Sequence, residues 1–365
     1  MQATPVAPVE DSGEDSGPRP TPKRRTHIML RKVASRGILP VALAIVLVGL
    51  ALSGAAVALT GPVEVTIASL SPGTAWYVYG AAIGDLLRSA LPANSKIEVL
   101  PQSGGIGNAK LIAQKKANFA LSFSLTNRWA FNGRHAYDQK LDMLRGVAGG
   151  MDTYYLAALV RADAGIKSLE DIKANPGKVS LGTLPVGSAG EYGARNLLES
   201  IGVSYDDIRK AGGGVAHTNY PTMTTGIKDG RINTIIAVVT PAHPSITEIA
   251  LQNDVRFLPV TGDAAAKMGE EFNYTAQTMP AGMFRGVAKD TPTVGFPTVF
   301  ITHKDVDPEL VYLVTKTIGE NKGALVAAHK GLSKFDPASA WKPELVGLPL
   351  HPGAEKYYRE KGWMK

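Results

Sequence analysis

A chain of 365 residues without a single cysteine is long enough for about two domains with substantial cores. It excludes disulfides, thiolate metal sites, thiol nucleophiles and a lipid-modified N-terminal cysteine. The net charge of +7 is unevenly placed: seven Lys and Arg precede residue 38 against four acids, which leaves +4 on the large remainder. That remainder is too dilute in charge for a nucleic-acid footprint.

Residues 1–22 are rich in Pro, Gly, Ser and acids, a composition unable to bury a core. The whole of 1–37 therefore reads as a disordered, basic leader. Ile38 to Leu59 then runs without a charge, and as a helix it would reach roughly 33 Å, enough to cross a bilayer. The basic flank places the N-terminus in the cytoplasm and sends the rest out. Two readings stand side by side. Ala56-Val57-Ala58 has the small-x-small form of a signal-peptidase site, whereas the long apolar run and the long leader suit an uncleaved anchor. Arg24-Arg25 hint at twin-arginine export, although the following Thr-His-Ile fits that motif poorly. Both readings place the folded part in the periplasm, anchored through 38–59 or released.

Beyond Gly61-Pro62 short β-branched runs alternate with amphipathic helices. Val63–Ser69 alternates apolar and polar residues as a strand does, and Gly73-Thr74 opens a helix. Ile97–Leu100 is a second strand, Gly107–Lys116 a second helix and Phe119–Phe123 a third strand. This βαβαβ order predicts a parallel sheet under helices. Residues 126–142 show no period. Arg145–Met151 and Tyr155–Val160 read as further strands. Ser168 caps a short helix with an acidic first turn. Val179–Gly182 is a strand, Gly187–Ser200 a helix, Tyr220–Asp229 a helix and Thr234–Val239 a strand. Val294–Thr302 is one more strand, followed by a helix over 308–328 and a last helical stretch over 351–362. Two glycine-loop βαβ units in one chain predict two similar α/β lobes.

A strand, a Gly/Ser/Thr loop and a helix start recur at Ser69–Trp76, Gln102–Asn108 and Leu184–Glu191. Helix N-termini expose unsatisfied N–H groups and partial positive charge, so they hold carboxylates or phosphates without Lys or Arg. One such loop is an ordinary tight turn; three at the carboxyl ends of strands point to a cleft.

Enzymatic signatures are missing. His27, His135, His217, His243, His303, His329 and His351 are dispersed, with no pair at helical ligand spacing and no H-E-x-x-H. Ser188 lacks the first glycine of a nucleophile elbow. Lys110 stands where a dinucleotide loop needs Gly or Ala, and no Walker Lys-Ser/Thr occurs. Lone acids such as Asp85, Asp142 and Asp152 read as solvated or capping. No catalytic residue, metal set or cofactor is expected.

The chain resembles the TAXI-type extracytoplasmic solute-binding subunits of TRAP transporters over most of 63–365. Ser69–Tyr77 (SLSPGTAWY) is similar to the family's G-x-G-G-T-Y-Y element, and Gln102–Asn108 (QSGGIGN) to its T-G-G-S-x-x-N loop. Val160–Leu169 resembles the entry to the second lobe, Val186–Glu191 (VGSAGE) the P-G-S-G-T-E loop, and Pro292–Gly295 the return strand. Leu350–Tyr358 (LHPGAEKYY), the most specific of these, resembles the C-terminal signature. The resemblance implies a type II periplasmic-binding-protein fold of two α/β lobes joined by crossover strands. Chain order then gives lobe 1 over 63–162, lobe 2 over 163–282 and a return to lobe 1 over 283–365. It further implies a monomeric receptor that captures a small carboxylate or amino acid of the glutamate or 2-oxoglutarate class and delivers it to a TRAP permease driven by an ion gradient. A membrane-anchored sensor or scaffold of the same fold is the alternative.

The sequence departs from the family at several points. Pro72 removes one N–H from the first loop, Trp76 stands where Tyr is usual, and Gly190 replaces Thr. Asn127-Arg128 follow the third strand in place of a Ser-Asp pair. The expected ligand-binding residues are Ser71, Gly73, Thr74 and Tyr77 in the first loop and Ser103, Gly104 and Gly105 in the second. Thr126, Asn127 and Arg128 follow strand three, with Arg128 able to clamp a carboxylate bidentately. Gly187, Ser188 and Ala189 form the lobe-2 loop, and Thr240 ends a lobe-2 strand. His351 is expected to cap the last helix, and Tyr357-Tyr358 to pack.

Overall fold

A computed structural model describes residues 59–70, 72, 74–102 and 104–365. The leader 1–37 and the apolar run 38–59, apart from Leu59, lie outside the described residues. Among the described residues no helix is long and apolar enough to cross a membrane.

The first lobe is built as the alternation predicts. Strands β1 (Glu64–Ala68), β2 (Lys96–Leu100) and β3 (Phe119–Phe123) pair in parallel, in the order β2-β1-β3. Helices α1 (Ala75–Ala90) and α2 (Gly105–Ala113) connect them. Helix α1 turns Trp76, Tyr79, Ile83 and Leu87 inward, the spacing of an apolar helical stripe. Helix α3 (Ser124–Asn132) follows β3 directly, so the aperiodic segment 126–142 begins helical. Its apolar residues are few because Thr126 and Asn127 are buried polar groups, which erases the amphipathic signal.

Strand β4 (Leu144–Ala148) belongs to the first sheet, whereas β5 (Thr153–Arg161) already belongs to the second. The second sheet is completed by β6 (Ser180–Thr183), β7 (Gly214–His217), β8 (Thr234–Val239), β9 (Val255–Leu258) and β10 (Thr275–Met279). Its helices include α4 (Leu169–Ala174), α5 (Ala189–Ser200), α6 (Tyr205–Lys210), α7 (Tyr220–Lys228), α8 (Pro244–Gln252) and α9 (Gly262–Glu270). Ser168 caps α4 in a full capping box with Asp171.

One long strand joins the two sheets. In β11 (Thr291–His303), Gly295, Phe296 and Pro297 pair with Tyr155, Tyr154 and Thr153 of the second sheet. Thr298 to Thr302 pair with Phe123 to Phe119 of the first. The chain therefore crosses between lobes at 149–152 and again between Pro297 and Thr298. This corrects the expected boundaries at 162 and 283, which left β5 and the end of lobe 2 on the wrong sides. A crossover strand has the same β-branched composition on both sides of the crossing, so its hydrophobic pattern gives no break.

The expected helix over 308–328 is two, α10 (Pro308–Glu320) and α11 (Lys322–Ala328), separated at Asn321. Helices α12 (Pro343–Val346) and α13 (Pro352–Glu360) close the chain over the first lobe. His351 accepts from the Gly353 N–H at 3.2 Å and so caps α13, and Tyr358 donates to the Val147 carbonyl at 2.9 Å. The architecture is a two-lobed α/β fold with crossover strands.

Candidate functional site

Three βα loops converge where the two sheets face each other. Asn108 holds the first two loops together, its Nδ2 directed at the carbonyls of Ala68, Ser69 and Leu121 at 3.3, 3.1 and 2.9 Å. Ser122 donates to the Gly105 carbonyl at 3.1 Å. These bonds fix the N-terminus of α2 against the ends of β1 and β3. In lobe 2, Ser188 Oγ caps α5 by accepting from the Glu191 N–H at 3.2 Å. The buried Glu191 carboxylate reaches back to the Gly187 N–H at 3.1 Å and forms a two-point bond with Arg195 at 3.0 and 2.7 Å.

Between these loops lies a cavity of about 860 Å³. From lobe 1 it is walled by Leu70, Thr74–Trp76, Gly104–Gly107 and Phe123; from lobe 2 by Leu184, Gly187–Gly190, Tyr220, Val238 and Thr240–Ser245. Tyr154, beside the crossover, and His329, after α11, complete it. Its back is an aromatic cluster: the Phe123 ring lies 4.5 Å from Trp76, 5.0 Å from Tyr154 and 4.7 Å from Phe296. Trp76 is locked by donating to Thr298 Oγ1 at 2.9 Å. On the other side Tyr220 donates to the Val238 carbonyl and lies 4.2 Å from the His243 ring.

Among the described residues no Asp, Glu, Lys or Arg lines this cavity. Burial lowers the proton affinity of both His243 and His329, so both rings are neutral at pH 7. Donors come instead from the backbone. The N–H groups of Ala75 and Trp76, of Gly105, Ile106 and Gly107, and of Ala189 and Gly190 find no acceptor among the described residues. These are first-turn groups of α1, α2 and α5, each carrying the positive end of a helix dipole. The arrangement suits an anionic group in a mostly apolar chamber.

The expected ligand residues divide. Thr74, Gly104, Gly105, Gly187, Ser188, Ala189 and Thr240 line the cavity. Ser71, Gly73 and Ser103 lie outside the described residues. Tyr77 does not line it and gives its N–H to the Thr74 cap at 3.3 Å. Thr126, Asn127 and Arg128 are also away from it, a correction to the expectation that strand three delivers a clamp. Thr126 donates to the Phe123 carbonyl at 3.1 Å, Asn127 to the Val346 carbonyl at 3.2 Å and Arg128 to the Pro343 carbonyl at 3.1 Å. They tie α12 to α3. In the lobe-2 loop the N–H of Gly187 is taken by Glu191, and that of Ser188 by the Pro185 carbonyl at 3.1 Å. Ala189 and Gly190 are the donors left open.

The sequence reading missed Tyr154, Tyr220, His243 and His329, which meet only through long-range topology. It also passed over Asp152. This residue is 4% exposed, accepts from Tyr79 Oη at 3.0 Å and accepts from the Thr298 N–H at 3.2 Å. Burial pushes its carboxyl up to about 6 against those hydrogen bonds. Asp152 sits at one crossover and bonds the other.

Among solved structures the chain is similar to MatC of Rhodopseudomonas palustris with bound malate, at 12% identity and a TM-score of 0.48 over 82% of this chain and 97% of that one. It is similar to a TctC solute binding protein from Polaromonas, at 18% identity and a TM-score of 0.48 over 74% and 88%. The periplasmic aliphatic sulphonate binding protein SsuA of Escherichia coli matches at 12% identity and a TM-score of 0.42 over 82% and 79%. A family model matches residues 67–362, which is most of the sequence. The chain belongs to the NMT1-like family.

Proposed function

We propose that the chain is a solute-binding receptor that captures a small carboxylate or amino acid between its lobes and hands it to a TRAP-type membrane permease. The carrying observation is the cavity itself: among the described residues, N–H groups without an acceptor, from helices of both lobes, meet in a chamber without side-chain charge. A carboxylate placed there is solvated by oriented dipoles, and its apolar body packs on Trp76, Phe123, Tyr154 and Val238. A ligand touching both lobes favours the closed state, since only there are both sets of contacts made. The periplasmic setting and the permease partner are carried by the leader, the apolar run and the motif resemblance in the sequence.

A thermal-shift screen tests the reading. The purified protein is heated with small carboxylates, amino acids and the uncharged amides of the same acids. At least one carboxylate raises the melting temperature, as a ligand selective for the folded state must, and its amide does not. No stabilisation by any carboxylate or amino acid would overturn the proposal.

A further inference from the structure

Beyond the first chamber the cleft continues. A second cavity of about 600 Å³ shares Thr240, Pro241, Ala242 and His329 with the first. Its inner wall carries Asp152, Tyr79, Thr153 and Tyr155, and its outer wall includes Lys330 and Lys334, which are exposed.

The chemistry inverts from one chamber to the next. The first offers donors and no charge; the second offers a buried carboxylate. None of the ion pairs among the described residues includes Asp152. Its hydrogen-bond donors are neutral, Tyr79 Oη on one oxygen and the Thr298 N–H on the other, with the Thr298 hydroxyl and its own N–H also favouring the ionised form, and none supplies a counter-charge. A buried carboxylate without a cation is costly and is ordinarily paired. Tyr79 spends its hydrogen on Asp152, so its oxygen presents only lone pairs to a further donor. A carboxylate and a phenol oxygen side by side, facing a cavity and lacking a cation, form an acceptor set for N–H groups that carry positive charge.

We propose that this second chamber is the subsite for a cationic nitrogen of the ligand, with Asp152 as its counter-charge and Tyr79 as a second acceptor. The ligand is then an amine-bearing carboxylate whose anionic end lies at the helix N-termini and whose amine reaches through the wall shared by the two chambers. This rests on the receptor reading above and narrows its ligand class. Lys330 and Lys334 also line this chamber, but both are exposed and neither forms an ion pair with Asp152 among the described residues.

The test is titration calorimetry on the full-length protein with matched pairs that differ only in the amine. Three pairs spanning different separations are L-phenylalanine against 3-phenylpropanoate, L-glutamate against glutarate, and 6-aminohexanoate against hexanoate. In at least one pair the amine-bearing member binds about tenfold or more tightly, as expected for a charge-assisted contact. Asp152→Asn abolishes that advantage and leaves the deaminated partner within about twofold of its wild-type affinity. Tyr79→Phe, which keeps the ring, weakens only the amine-bearing member and serves if Asp152→Asn does not fold. Equal affinity within every pair, or an advantage that survives both substitutions, overturns the amine subsite while leaving the receptor reading intact. Absence of binding by every compound overturns both.

Discussion

Asp152 shows how a residue can serve a site at the expense of the fold. In the unfolded chain its carboxyl ionises near the ordinary value of about 4, whereas burial moves it to about 6 in the folded protein. The folded state thus binds the proton more tightly, and the ionised group destabilises the protein wherever the unfolded chain is already deprotonated. That cost is absent below about pH 4, grows between pH 4 and 6 and is constant above. Tyr79 and Tyr154 face it, with the exposed Lys330 and Lys334 and, 5.2 Å from the Tyr79 ring, His329, whose own proton affinity burial lowers, so the contribution of Asp152 is read as the difference between variant and wild type. Asp152→Asn is therefore expected to stabilise the unliganded protein by up to about 3 kcal/mol at pH 7 and by almost nothing at pH 4. Denaturant melts at the two pH values measure it, and a variant less stable than the wild type at pH 7 would contradict it. In the sequence this residue was one lone acid among several. Burial and the approach of Thr298, far along the chain, are what single it out.

At the scale of elements the site is a set of helix starts, and these were the most legible part of the sequence. Glycine, serine and threonine between a strand and an amphipathic stripe start the helices at Gly73-Thr74, Gly107 and Gly187 in the sequence, and the structure caps them at Thr74, Gly104 and Ser188, within three residues. Local chemistry dictates a cap, so a local pattern reveals it. Helices α6 and α8 were not read, although Ser204 caps α6 in a full capping box and, of the two, only α8 lacks a side-chain cap bond. Strand three was read correctly, but the role of the polar residues after it was not. Asn127 and Arg128 bond carbonyls more than two hundred residues away, and no window of sequence contains both partners. Gly105 illustrates the close packing of a helix start. A Cβ there would sit 2.6 Å from Phe123 Cδ2, and Phe123 is wedged among Trp76, Tyr154 and Phe296. Gly105→Ala is expected to lower stability by about 1–3 kcal/mol. It should also weaken ligand binding, because the displaced ring forms the cavity wall. A melting temperature equal to that of the wild type would show that the ring has room to move.

Across the whole molecule, two crossings join the lobes, one at 149–152 and one between Pro297 and Thr298. Asp152 and Thr298 bind these crossings to each other, which gives a compact hinge beside the ligand cleft. The two-lobe division could be read from the repeated βαβ units, whereas the crossing points could not, since β11 continues through its crossing without a change in composition. Ligand contacts on both sides of such a hinge draw the lobes together, so a saturating ligand is expected to reduce the radius of gyration in small-angle X-ray scattering. An unchanged radius would place the ligand on one lobe alone. The central claim is that backbone N–H groups, with no charged side chain, hold the anion. Ala189 is the first residue of α5 and follows Ser188 in an extended conformation, a position that accepts proline and leaves the helix whole. Ala189→Pro removes one open N–H from the cavity while keeping the helix start. Titration calorimetry of this variant against the stabilising carboxylate should show affinity reduced about tenfold or more, at an unchanged melting temperature. Wild-type affinity in the variant would contradict the claim.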